Sequence, residues 1–296
     1  MKIAVFCPLG LGGMLCAVPA LRALHAARPG SRTTLIGLPR ARALALRLRR
    51  YLDAFLEFPG FPGMPGRIAH VGALPDFFEA ARGARFDLLL QMHGSGEFAN
   101  PLAVLMGARR TAGFCRPGRF CPDPQRYLEW RDGEPEVERW LRLLEHLGVP
   151  AQGTQLEFPL QEPDLREADG FGLRHYAVLH PETRFGADPW PAERFAQLGD
   201  ALCAEGLRVV LTAGTPGSVL TRGIKEAMRE PALDLAGRTT LGGFAALIAR
   251  ARLAATCHPA VAALAAATRT PAVLVGPGAK LQDTLREIVR ALACAA

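Results

Sequence analysis

Lysine is nearly absent from this chain: three of its 35 basic residues are lysines (Lys2, Lys225 and Lys280) and the rest are arginines. Tyrosine is scarcer than its neighbours too, limited to Tyr51, Tyr127 and Tyr176, and none has lysine four residues on. That excludes the Tyr-x-x-x-Lys pair on which a hydride-using nucleotide-sugar epimerase depends. The seven cysteines are odd in number and scattered, with no CxxC pair, which argues against a disulfide framework, a metal site and a redox motif. No stretch approaches the ~20 uncharged apolar residues of a membrane span, so a soluble chain is expected. Met1–Phe6 has no signal-peptide layout, and the cytoplasm is the expected compartment. The net charge is +7, yet no aromatic residue interleaves with the one arginine cluster (Arg40, Arg42, Arg47, Arg49 and Arg50). A single-strand binder needs such interleaving, so nucleic acid is not an expected partner.

What is present is an alternating chain of 296 residues, 49% hydrophobic, long enough for two domains of roughly 150 residues. Short apolar runs at 3–7, 32–36, 86–91, 176–179, 208–212, 253–256 and 272–275 read as strands. Ala/Leu/Arg stretches at 14–27, 40–51, 136–147, 192–205, 218–228, 244–250 and 261–268 read as helices. Fully apolar strands separated by helices predict parallel sheets covered on both faces. Pro150 to Gly170 shows little periodicity and is the expected boundary, giving an N-terminal domain over 1–160 and a C-terminal domain over 161–296. The expected fold class is α/β, two Rossmann-like doubly wound domains facing a central cleft. Ligands of such sheets sit at the carboxyl ends of strands, so the turns there are the ones to inspect.

The first turn, Pro8-Leu9-Gly10-Leu11-Gly12-Gly13-Met14, has glycines that permit close approach and positive φ. Its spacing is not the dinucleotide fingerprint G-x-G-x-x-G, because Leu15 holds the last position and Gly37, not an acid, follows the second strand. NAD is therefore not expected, nor any other cofactor or metal. The loop from His180 to Pro191 carries Thr183 and Arg184, which suit a phosphorylated ligand. The turn Ala213-Gly214-Thr215-Pro216-Gly217-Ser218 offers N–H groups at a helix start, a seat for phosphate. Cys257 and His258 are adjacent, an arrangement that seldom presents both side chains to one reacting atom. His93 and His180 read as loop braces and Glu182 as solvated.

Five stretches in order resemble the glycosyltransferase family 9 heptosyltransferases. They are Gly12-Gly13-Met14-Leu15-Cys16-Ala17-Val18-Pro19-Ala20-Leu21-Arg22-Ala23-Leu24; Phe86 to Gly96; His180-Pro181 with Trp190-Pro191-Ala192-Glu193-Arg194-Phe195; Leu235 to Leu241; and Thr256-Cys257-His258 with Leu264 to Pro271. The resemblance implies a GT-B fold, an acceptor-side N-terminal domain and a C-terminal domain holding a nucleotide-sugar donor. It implies an ADP-heptose-like donor, a glycan or lipid-linked acceptor of the lipopolysaccharide core, and peripheral contact with the inner membrane, where Arg40–Arg50 would meet anionic lipid. A solvated helix face is the plainer reading of that cluster.

Departures fall on polar positions. Family members usually carry Asp as candidate base where this chain has Gly13, a Lys or Arg where it has Asp188, and an acid where it has Ser218. Their Asp-Thr-Gly run with a later His reads His258-Pro259-Ala260 and Ala263 here. The resemblance then assigns the donor to Thr183, Arg184, Asp188, Gly214, Ser218, Thr239, His258, Pro259 and Ala260, and the acceptor side to Gly12, Gly13 and His93. His258 is the expected replacement for the missing Asp, as a cation or a base, and Arg184 the expected replacement for a phosphate contact. The alternative expectation is a catalytically degenerate paralogue that keeps the scaffold as a binding or assembly partner.

Overall fold

The computed structural model describes residues 1–183, 190–276 and 278–294. The chain divides into two compact units, Met1–Leu156 and Glu157–Ala296. In the first, β1 (Lys2–Phe6), β2 (Arg32–Gly37), β3 (Ala54–Glu57), β4 (Leu88–Gln91), β5 (Thr111–Cys115) and β6 (Tyr127–Glu129) form one sheet. Its order is β3-β2-β1-β4-β5-β6 and every pairing is parallel. Helices α1 (Leu11–Ala27), α2 (Ala41–Arg47), α3 (Leu74–Ala84), α4 (Ala99–Leu105) and α5 (Glu136–His146) cover it. That double cover is why Ile3 to Phe6 are buried without alternation. The Phe58 ring stands edge-on to Phe6 (5.1 Å) and Phe77 (5.4 Å), and Trp140 meets Phe114 at 5.8 Å. Offset and edge-on pairs of this kind add to the burial of their large rings.

The second unit opens with α6 (Glu162–Asp169), then alternates β7 (Tyr176–His180), α7 (Ala192–Ala204), β8 (Arg208–Leu211), α8 (Val219–Ala227), β9 (Ala232–Asp234) and α9 (Leu241–Ala249). It closes with β10 (Leu253–Thr256), α10 (Pro259–Ala267), β11 (Ala272–Leu274) and α11 (Leu281–Cys294). The sheet order is β11-β10-β7-β8-β9, again all parallel. Its core is anchored by Trp190 against Phe195 (ring centroids 5.0 Å apart, 85° between planes), with the indole N–H donating to the Ala279 carbonyl at 2.9 Å.

Several elements lie outside those read from the sequence: β3, β5, β6, β9, α3, α4, α6 and α11. The stretch expected to be a featureless boundary holds α6, set by a capping box in which Gln161 and Asp164 cap each other, with Pro163 in the first turn. Among the described residues no helix is long and apolar enough to cross a membrane.

In each sheet the strand order reverses beside the first strand of its unit, between β1 and β4 and between β7 and β10. The crevice outside the carboxyl ends at such a reversal is where open α/β sheets take ligands.

Candidate functional site

In the second unit β7 ends on His180 and β10 on Thr256, and these two residues are register partners. His258, two residues beyond, therefore stands beside His180 at the reversal, with ring centroids 6.3 Å apart. His258 is the N-cap of α10: its Nδ1 accepts from the Ala260 N–H at 3.1 Å, while its own N–H donates to Thr256 Oγ1 at 2.9 Å. With Nδ1 accepting, the proton of the neutral ring lies on Nε2. In that form Nδ1 is occupied by the cap, and Nε2 is the ring nitrogen left to face a ligand.

His180 is 6% exposed. Its Nδ1 lies 3.1 Å from Thr212 Oγ1 and its ring is 5.5 Å from that of Phe244. Burial, with His258 adding to it, pulls the imidazole down to about 3, so it stays neutral at physiological pH. The 3.7 Å approach of its Nε2 to Glu182 Oε2 is accordingly not an ion pair.

Glu182 is the residue the sequence reading undervalued. Its Oε2 accepts from the Gly214 N–H at 2.7 Å, so the N–H expected to meet a phosphate already holds a carboxylate. The turn that carries Gly214 is tightly packed from behind. Gly237 (φ +63°) donates its N–H to the Ala213 carbonyl, and a Cβ there would lie 2.3 Å from the Pro216 nitrogen. Only glycine fits that approach.

Ser218 occupies the N-cap of α8 but its hydroxyl makes no cap bond. Thr239 is half-buried, and its neighbour Thr240 makes the contacts. Thr240 Oγ1 accepts from the Gly243 N–H at 3.0 Å, and Glu167 of α6 accepts from the Thr240 N–H (2.8 Å) and hydroxyl (2.6 Å). This is a capping box whose acid comes from another helix instead of the third helical position. Thr183 is half-buried just past β7. Arg184 and Asp188 lie outside the described residues.

In the first unit the corresponding crevice opens on Gly10–Gly13 after β1 and on His93 after β4. Gly12 and Gly13 are not a turn, as the sequence suggested: α1 starts at Leu11, which places both in its first helical turn. That turn has no acidic residue and no side-chain cap, so its leading N–H groups lack the usual intrahelical partners. A Cβ on Gly13 would sit 2.8 Å from Leu9 Cδ1 and 2.9 Å from Leu9 Cβ, so Leu9 fills the space a larger residue would need. His93 is half-buried and its imidazole is pushed down by that burial. Glu136, the first residue of α5, reaches the same region. The Cys16 thiol, one turn past Gly13, donates to its carboxylate, and burial with that charge pushes the thiol up to about 11.

Residues 76–276 match glycosyltransferase family 9 (heptosyltransferase), well over half of the chain. The chain belongs to that family. Lipopolysaccharide heptosyltransferase 3 of Escherichia coli (strain K12) is 34% identical over 146 residues, a match spanning 46% of this chain and 42% of that protein. Thus less than half the length of this curated relative is matched. Among solved structures, E. coli ADP-heptose lipopolysaccharide heptosyltransferase II superposes with a TM-score of 0.76 at 20% identity, covering 99% of both chains. An E. coli heptosyltransferase solved with ADP superposes at 0.71 with 18% identity, covering 100% of this chain and 99% of that one. The fold class is GT-B α/β.

As a family 9 protein the chain departs from expectation in how its polar groups are used. His180, Glu182, Gly214 and His258 come together at one strand reversal, while among the described residues the Thr239 and Ser218 side chains make no hydrogen bond there. Glu136 and Glu167 had no readable motif, since each acts on a residue far off in sequence. The arginine cluster is partly spent on local contacts. Arg42 pairs with Glu57 at 3.5 Å and covers the Phe55 ring at 4.8 Å, and Arg49 folds back on the Leu46 carbonyl. Among the described residues no group of three or more His, Cys, Asp or Glu side chains is placed to hold a metal ion.

Proposed function

We propose that this family 9 chain transfers a heptose or related sugar from a nucleotide-sugar donor to a glycan acceptor of the lipopolysaccharide type. The observation that carries the reading is the pairing of His180 and His258 at the β7–β10 reversal, next to the helix starts of α8 and α10. In this reading a nucleoside diphosphate leaves toward those helix starts. Backbone N–H groups and the His258 Nε2–H stabilise its developing charge, and donors fixed in place beforehand are the largest contribution open to such a site. An ADP-heptose-like donor is chosen because a structural relative was solved with ADP. Thr183 and Arg184 would add a hydroxyl and a guanidinium to the phosphates, with Asp188 opposing them. No metal is assigned a part.

The donor side is then the second unit and the acceptor side the first, with Gly12, Gly13 and His93 lining it. Gly13 cannot deprotonate an acceptor hydroxyl. Glu136 takes that part in this reading, as the carboxylate that reaches α1 one turn beyond Gly13. A well-placed base contributes about 10²–10⁴ in rate. The arginines of α2 would face an anionic membrane surface where the acceptor is lipid-linked.

One observation favours the second reading, a degenerate binding paralogue: Glu182 holds the Gly214 N–H, so a diphosphate must displace a carboxylate to use it. Calorimetric titration with ADP, UDP and ADP-heptose, followed by a product assay, tests both. The transferase reading expects ADP-heptose to bind and to yield ADP when acceptor is added. Binding without product supports the paralogue, and no binding at millimolar nucleotide overturns the donor site altogether.

A further inference from the structure

A cavity of about 680 Å³ opens in the first unit at the amino ends of its strands, the edge of the sheet opposite Gly13 and His93. That volume is within the usual range for small-ligand sites, roughly 300–1,000 Å³. Its floor is apolar, made by Leu24 near the end of α1, Leu144 near the end of α5, Val149 beyond it, and Leu88 and Leu90 of β4. Its rim is basic: Arg28, Arg109, Arg110 and Arg126 all line it. Apolar depth under a cationic rim is the pattern that matches an amphiphile with a negative head.

The charge can be narrowed further. Arg109 is paired with Asp87 (3.4 Å) and Arg126 with Asp123. Arg28 touches the Ala27 carbonyl, and among the described residues neither Arg28 nor Arg110 has a carboxylate partner. The carboxyl ends of α1 and α5 also point here, each worth roughly half a negative charge. They offset about one of the two unpaired guanidiniums. Met1 lines the cavity too and its amino group acts on Asp87, so the rim keeps a net positive charge, which suits an anionic head. We infer that this cavity is a second binding site, separate from the donor site, for an anionic amphiphile whose apolar tail lies against Leu24, Leu144 and Val149 and whose head meets Arg28 and Arg110. An acidic lipid and a free alkyl sulfate or carboxylate share that chemistry.

Calorimetric titration of the full chain with octyl sulfate below its micelle concentration tests this, with octanol and sodium sulfate as the tail and head alone. Vesicles of phosphatidylglycerol form the lipid arm. Saturable one-to-one binding of octyl sulfate is expected, at least tenfold tighter than either fragment. The exposed double variant Arg28→Ser/Arg110→Ser should weaken it at least tenfold, while ADP titration of that variant stays as in the unaltered protein. Loss of vesicle binding in the same variant identifies a lipid surface as the source, and its retention identifies a free amphiphile. Octyl sulfate binding that is non-saturable, matched by octanol, or unchanged in the double variant overturns the site. Because both guanidiniums are solvent-exposed, a folded variant is assured by an unchanged Tm and ADP response, so failure here is distinguishable from failure of the donor reading.

Discussion

Glu182 Oε2 accepts a hydrogen bond from the Gly214 N–H at 2.7 Å, linking the loop after β7 to the turn after β8 with a negative charge where the donor reading needs a positive environment. The carboxylate lies beside a neutral His180, so that imidazole does not offset it.

On the donor reading proposed above, Glu182 opposes nucleotide binding. Glu182→Gln keeps an acceptor for the Gly214 N–H and removes the charge. ADP should then bind roughly tenfold tighter, a change of about 1.4 kcal/mol. Calorimetry reads this directly, and weaker binding in the variant would show that the carboxylate helps hold the donor instead.

His180 makes stability depend on pH in a definite direction. Its folded pKa is about 3 against a free value near 6.5, so the unfolded chain binds the extra proton between those limits. Its contribution is complete above pH 6.5 and is lost as pH falls from there toward 3, with a slope of at most roughly 1.4 kcal/mol per pH unit. His180→Gln, which does not titrate, should flatten the urea-unfolding free energy between pH 4 and 6. An unchanged slope would mean that the imidazole is not held neutral.

The trans capping box at Thr240 makes a coupled pair of Glu167 and Gly243. A Cβ on Gly243 would lie 2.1 Å from the Glu167 carboxyl carbon. Glu167→Ala should cost about 1–2 kcal/mol through two lost bonds, and Gly243→Ala about 1–3 kcal/mol through overlap. In the Glu167→Ala background the second change should turn neutral or stabilising, by up to about 1 kcal/mol, because alanine suits a helix better than glycine. Additive effects in a double-mutant cycle would contradict the contact.

Restoring an acid at position 13 needs two changes. Gly13→Asp alone overlaps Leu9 and should destabilise by about 1–3 kcal/mol. With Leu9→Ala the side chain has room, and an acid in the first turn of α1 recovers about 0.3–1 kcal/mol from the helix dipole. Thermal unfolding of the three variants separates the cases.

The βα rhythm was legible because long helices and fully apolar strands such as β1 and β7 have no other stable use. The strands missed were short or made of small residues: β6 and β9 have three residues each, and β5 is Thr-Ala-Gly-Phe-Cys. Helix α6 was hidden because its sequence is dominated by Glu, Asp and Pro, and its caps, not its apolar face, mark it out. At the site, His258 was visible from its place after a strand, but the cap that its Nδ1 makes was not. Whether an imidazole accepts or donates depends on the Ala260 N–H that it caps, which no spacing reports. Glu182 read as solvent-facing for a similar reason, since its partner lies 32 residues away.

The most direct test is ADP release from ADP-heptose, followed by phosphorus NMR, with and without a heptose-deficient lipopolysaccharide acceptor. The account predicts release that depends on acceptor and falls at least tenfold in His258→Ala. Binding of ADP-heptose with no release under any acceptor condition would contradict it.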